Sequence, residues 1–180
     1  MAINTPMKSY LQLLVPLDRR CQWYRQLKSI LGKMQDGGFH ITVAFINDEL
    51  DKQGMEKVAD VLDQELRHAV APVITFDKLD VFTSESGDKH IVNLTASVVP
   101  KEFTIIKERV RTRLAREGFK LGPFKLHVTL ARVNTDKIDL QTLQNRICPV
   151  SVPPITRTLK DASYCYLKGY KHPIRRWTLS

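Results

Sequence analysis

The sequence predicts an α+β chain of two similar lobes that face one shared groove. Three observations carry that expectation. A short segment occurs twice, as His40-Ile41-Thr42-Val43-Ala44-Phe45 and His127-Val128-Thr129-Leu130-Ala131-Arg132. Each copy alternates apolar and polar residues like a strand. Each also lies in the same setting, strand, helix, His strand, helix, at about residues 10–70 and again at about 90–147. With 180 residues, 43% hydrophobic and 26% charged, the chain suits one soluble domain spanning 1–180.

The elements follow in order. Residues 10–15 read as a first strand, and Asp18 as the cap of a helix with Trp23, Leu27, Ile30 and Leu31 on one face. Gly37-Gly38 turn the chain into the His40 strand, and Asp48 and Glu49 read as a helix-cap or loop pair. A helix over 53–70 has the stripe Met55, Val58, Ala59, Leu62, Leu66 and closes at Pro72. One strand over 73–82, a turn at 84–88 and a partner strand over 89–96 come next. A helix over 101–117 turns Phe103, Ile106, Val110 and Leu114 inward and ends at Gly118. Gly122-Pro123 lead into the His127 strand, and a helix follows over 136–147. The tail is strand-like around 150–158 and 163–167.

A strand sends alternate side chains to opposite faces. His40 and Thr42 therefore project together, as do His127 and Thr129, while Ile41 and Val43, or Val128 and Leu130, face a core. Two such strands on one cleft put two imidazoles and two hydroxyls around one small anionic group. That set suits acid–base chemistry on phosphate esters, because histidine can give or take a proton near neutral pH. Strict alternation puts Phe45 on the apolar face, so its expected role is packing. Arg132 falls on the side of Val128 and Leu130, where a charge is costly. It is therefore expected at a strand end, turned to solvent or to a substrate phosphate. Phe45 and Arg132 are the weaker substrate-binding candidates. His68, near a helix end, suits the C-terminal dipole. His90 and His172 have no matching Thr, and Tyr164, Tyr166 and Trp177 read as packing residues more than as base-stacking ones.

The formal charge is +9, with a pI near 9.6, which favours a polyanionic partner, nucleic acid first. Cations crowd residues 107–125 and, in a second cluster, 160–176. About half are expected on solvated faces, and the rest beside the cleft. Three cysteines without a Cys-x-x-Cys pair predict reduced thiols, a cytoplasmic location and no zinc site. Neither motif has a second His or Cys at ligand spacing, so metal chemistry is not expected. No apolar run is long enough for a membrane span, and the N-terminus lacks the order of a signal peptide. No Gly-rich phosphate loop and no Ser elbow is visible.

Three stretches carry a family resemblance: Tyr10-Leu11-Gln12-Leu13-Leu14-Val15-Pro16, residues 39–45, and Pro123 through Val133. In order and spacing the chain resembles the 2H phosphoesterase superfamily, within its RNA 2′,3′-cyclic phosphodiesterase, or 2′-5′ RNA ligase, group. The resemblance implies a bilobal fold with pseudo-twofold symmetry, antiparallel-rich sheets lining a central cleft, and helices outside. It implies an active site of His40, Thr42, His127 and Thr129 that needs no metal and no cofactor. Two departures stand out: Leu126 replaces a Pro common in relatives, and Ile46-Asn47 replace a Leu-Gly pair.

The expected activity is hydrolysis of RNA or nucleoside 2′,3′-cyclic phosphates to 2′-phosphates, with 2′-5′ ligation as the reverse reaction. His40 is assigned as the acid and His127 as the base, although the near symmetry of the site also allows the opposite order. The expected partner is RNA with a cyclic phosphate end, bound by a monomer away from membranes. The alternatives are a phosphodiesterase acting on 2′-5′ oligoadenylate or another nucleotide, and a non-catalytic nucleotide- or RNA-binding module of the same fold.

Overall fold

The described residues form nine strands and four helices in the order β1 (Met7–Leu14), α1 (Gln22–Leu31), β2 (His40–Leu50), α2 (Lys52–Leu66), β3 (Val73–Phe76), β4 (Lys78–Thr83), β5 (Lys89–Thr95), α3 (Lys101–Arg116), β6 (Val128–Asn134), α4 (Leu140–Ile147), β7 (Ile155–Thr158), β8 (Asp161–Lys168) and β9 (Tyr170–Thr178). The structure, a computed structural model, describes residues 5–168 and 170–180.

Every strand pairing is antiparallel, in sheets of order β2-β1-β8-β9, β4-β5-β6 and β3-β7. The predicted repeat is present. β1-α1-β2-α2 and β5-α3-β6-α4 run in the same order, and each motif lies at an antiparallel partner of the strand before its helix. The α+β class and the antiparallel sheets therefore match expectation.

Helical periodicity explains the core. Trp23, Tyr24 and Leu27 of α1, the stripe Met55, Val58, Ala59, Leu62 and Leu66 of α2, and Phe103, Ile106, Val110 and Leu114 of α3 are all buried. They join Leu11, Leu13, Ile41, Val43, Val128 and Leu130 from the strands in one apolar cluster.

Several expectations change. Asp18 caps no helix; it folds back to accept the Arg20 N–H (2.9 Å) and guanidinium (3.0 Å), a local turn that delays α1 until after Cys21. Asp48 and Glu49 lie inside β2, where Asp48 accepts the Lys120 N–H at 2.7 Å; the cap of α2 is Asp51, which accepts the Gly54 N–H at 2.8 Å. Asp139 caps α4 by accepting the Thr142 N–H at 2.8 Å, so that helix starts later than expected. The strand expected over 73–82 is two strands. Asp77 interrupts it by accepting the Ser97 N–H and hydroxyl, and the halves pair with different partners, β7 and β5. β9 was not anticipated in the tail. It is an outer strand, and its Pro173 sits at a register shift opposite Cys165, where a missing N–H is tolerated.

Candidate active site

The two motif strands share a defect. On β2, Ala44 faces Leu11 and Thr42 faces Gln12, so Val43 is an extra residue. On β6, Ala131 faces Val92 and Thr129 faces Asn93, so Leu130 is extra. A bulge at the fourth motif position inverts the alternation beyond it. Two consecutive residues then point into the core, Val43 and Ala44 at 0% and 1% exposure, Leu130 and Ala131 both at 0%. The sixth position swings to the side of the His and Thr. Phe45 is therefore half-buried on the cleft side instead of packed in the core, and Arg132 is exposed on that side without a charge in the core.

A cavity of about 700 Å³ lies between the motif strands. Thr42, Phe45 and Asn47 bound it from β2, and His127, Thr129 and Arg132 from the second motif. Lys8, Arg111 and Lys125 add positive charge, against the single carboxylate of Glu85. Phe82 and Phe124 complete its apolar wall. His40 stands at the start of β2 on Thr42's side of the sheet, half-buried, its ring 5.8 Å from that of Tyr10. It is not part of this cavity's wall. Tyr10 in turn stacks on Phe45, with ring centroids 6.3 Å apart.

His127 precedes β6 directly, and its Nδ1 lies 2.8 Å from the Lys125 carbonyl oxygen. A carbonyl only accepts, so Nδ1 carries the hydrogen, and in the neutral ring Nε2 is left as the acceptor. The Phe82 and His127 rings stand perpendicular to each other with centroids 5.0 Å apart. Burial pulls the His127 pKa below its ordinary value, the Lys125 and Arg132 charges push the same way, and the carbonyl hydrogen bond partly opposes them. The arrangement favours an uncharged ring that can accept a proton.

Sequence reasoning counted Arg111 among the cations of 107–125 but missed its bracing role, and it missed two buried amides altogether. Arg111, on α3, donates to the carbonyls of Val43 (3.3 Å) and Gly122 (2.8 Å), bracing β2 against the loop that leads to His127. Gln12 and Asn93 are buried, 4% and 1% exposed, and face Thr42 and Thr129 from equivalent places on β1 and β5. An amide between two apolar neighbours, Leu11-Gln12-Leu13 and Val92-Asn93-Leu94, was the available signal.

His68, His90 and His172, with Tyr164, Tyr166 and Trp177, lie outside the cavity wall. His90 is buried between Thr83 (Oγ1 to Nδ1, 3.0 Å) and the Ile138 carbonyl (Nε2 to O, 2.9 Å). His68 lies exposed in the turn beyond α2. Tyr164 meets the Ser9 hydroxyl at 2.7 Å, Trp177 donates to Asp63 at 2.7 Å, and Tyr166 stacks on His172. Of the charge clusters, Arg111 and Lys125 reach the cavity. Arg109 and Arg113 pair with Glu65, and Arg175 with Asp60 and Asp63, all three on α2. Among the described residues no three His, Cys, Asp or Glu side chains are placed to share a metal ion, and no helix is long and apolar enough to cross a membrane.

The first motif strand thus brings Thr42, and the second His127 and Thr129, to one cationic cleft. The family model of the 2′-5′ RNA ligase superfamily matches residues 18–162, and the chain belongs to that superfamily, the 2H phosphoesterases. Escherichia coli LigT with 3′-AMP is 18% identical, covering 97% of this chain and 99% of that one, at a TM-score of 0.63. LigT in apo form is 19% identical, covering 98% and 99%, at 0.62. Kluyveromyces marxianus Usb1 is 10% identical, covering 97% and 99%, at 0.61. At these identities the likeness is one of fold. No curated protein matches the sequence.

Proposed function

We propose that the protein is a metal-independent phosphodiesterase that opens RNA or nucleoside 2′,3′-cyclic phosphates to 2′-phosphates, with 2′-5′ ligation as the reverse reaction. One observation carries this reading: His127, its Nδ1 tied to a carbonyl and its Nε2 left as the acceptor, lines a cationic cavity together with Thr42 and Thr129. Superfamily membership supports chemistry at a phosphodiester. The nucleotides 3′-AMP, ATP and NADP+ named with LigT support a nucleotide-sized ligand.

In the forward reaction His127 Nε2 takes a proton from water as the water oxygen bonds to phosphorus. The bond from phosphorus to the 3′ oxygen breaks, and His40, entering as the imidazolium, protonates that oxygen. Thr42 and Thr129 donate hydrogen bonds to the non-bridging oxygens as their charge grows. Arg132 draws the phosphate in, and Phe45 offers its ring to the nucleoside. In ligation the two histidines exchange roles. The enzyme acts as a monomer in the cytoplasm, where Cys21, Cys148 and Cys165 remain free thiols.

The test is incubation of purified protein and EDTA with an RNA ending in a 2′,3′-cyclic phosphate. A 2′-phosphate product is expected, and His40→Ala or His127→Ala should each lower turnover by about 10² to 10⁴. Absence of product, turnover abolished by EDTA, or full activity in both variants would overturn the assignment.

A further inference from the structure

A second basic depression lies outside the catalytic cavity. The outer side of α1 and the residues that follow it form a groove of about 830 Å³ containing Arg19, Arg20, Arg25, Lys28 and Lys33. Asp36 is the one acidic residue in its wall. Arg20 is committed to Asp18. Arg25, Lys28 and Lys33 are exposed and form no ion pair among the described residues. That distinguishes them from Arg109, Arg113 and Arg175, whose charges are answered by carboxylates on α2. The only aromatic side chain in the groove wall, Tyr24, is 3% exposed, so no ring is offered to a base.

The groove and the cavity share no wall residue, but backbone contacts tie the groove to both motif strands. Arg19 lies 4.3 Å over the Phe39 ring, next in sequence to His40, and donates to the carbonyls of Gln35 and Gly37. The Gln35 N–H donates at 2.8 Å to the carbonyl of Leu130, the bulged residue of the second motif. One loop therefore runs from the groove, past the second motif strand, to His40.

We infer that this groove binds the sugar–phosphate backbone of single-stranded RNA, holding nucleotides upstream of the end that reacts in the cavity. The inference rests on the cyclic phosphodiesterase reading for the identity of that end. Exposed guanidinium and ammonium groups on flexible side chains neutralise backbone phosphates, and no exposed ring stands beside them to hold a base. Binding in the groove is thus independent of base sequence and steeply salt-dependent. It gives an RNA substrate an advantage that a mononucleotide lacks.

The test compares wild type with the triple variant Arg25→Ala/Lys28→Ala/Lys33→Ala. Three substrates or ligands are used: a nucleoside 2′,3′-cyclic monophosphate, an RNA oligomer with the same cyclic end, and that oligomer with a 3′-hydroxyl. On the mononucleotide the variant should match wild type. On the cyclic-ended oligomer its KM should rise about tenfold with kcat unchanged. For the 3′-hydroxyl oligomer, followed by fluorescence anisotropy, the slope of log affinity against log salt should flatten by about 2, three contacts at about 0.7 each. Equal oligomer binding by the two proteins overturns the groove. So does equal loss on mononucleotide and oligomer, which would mark a general defect. Binding to anionic lipid vesicles without binding to RNA overturns it in favour of a membrane surface. If wild type turns over neither cyclic substrate, the catalytic reading fails, while the 3′-hydroxyl oligomer still decides the groove.

Discussion

His127 and His90 show how the surroundings of one side-chain type separate its roles. Burial, with help from Lys125 and Arg132, lowers the His127 pKa below the ordinary 6.5. The unfolded chain therefore takes up a proton at a higher pH than the native one. Its contribution to stability is complete above 6.5 and is lost as the pH falls from there through the native value. If His127 is the base, kcat/KM rises on the acid side with an apparent pKa below 6.5. Arg132→Gln should move the His127 pKa upward in an NMR titration without reaching 6.5, because burial is the larger cause. A pKa that stayed put or fell would contradict that electrostatic account. His90 is the opposite case, a satisfied ring 4% exposed between Thr83 and the Ile138 carbonyl. His90→Ala should cost about 2–3 kcal/mol in chemical denaturation through two lost hydrogen bonds and a cavity. Activity per folded molecule should persist, and a larger loss of rate than of stability would refute the structural role.

At the scale of the element, local rules worked where the cause was local. The helical stripes of α2 and α3 were legible because burial follows their own periodicity. The cap of α1 was not, since an N-cap depends on which backbone N–H the carboxylate meets. Asp18 meets that of Arg20, whereas Asp51 meets that of Gly54. Asp51→Ala should therefore destabilise the fold by about 1 kcal/mol, and Asp18→Ala should leave α1 intact, both read by circular dichroism during denaturation. A loss of α1 helicity in the Asp18 variant would contradict this. The strands mark the clearer boundary. His40, Thr42, His127 and Thr129 were readable from alternation, yet Phe45 was placed on the wrong face, and Arg132 was turned outward by invoking a strand end, although it lies within β6. The cause is a register set by β1 and β5, strands distant in sequence. The consecutive apolar pairs Val43-Ala44 and Leu130-Ala131 were its visible trace. The division of 73–82 into β3 and β4 has a similar origin, because continuous alternation carries no mark of a change of partner.

At the scale of the molecule, the repeated order of elements was legible, but the seam joining its halves was not, because it is made by backbone groups. The edge of β2 receives the segment 120–122 in strand-like fashion. The Asn47 N–H donates to the Lys120 carbonyl at 2.8 Å, the Gly122 N–H to that of Phe45 at 2.9 Å, and Ile46 bridges Leu121. Arg111 clamps this seam from α3 by donating to Val43 and Gly122, the first on one motif strand and the second on the loop that delivers the other histidine. The planar guanidinium spans two carbonyls, and a lysine ammonium is a single point that cannot reproduce that fork. Arg111→Lys keeps the positive charge at the cavity, so substrate attraction and KM should change little. Alignment of His127 with the β2 side should loosen. An ångström of misplacement costs up to about 10² in rate, so kcat should fall by about tenfold or more. Arg111→Met should lose the same alignment and also raise KM. If Arg111→Lys retained full kcat while Arg111→Met lost activity, Arg111 would act through its charge alone. The seam would then hold the two halves in register without it.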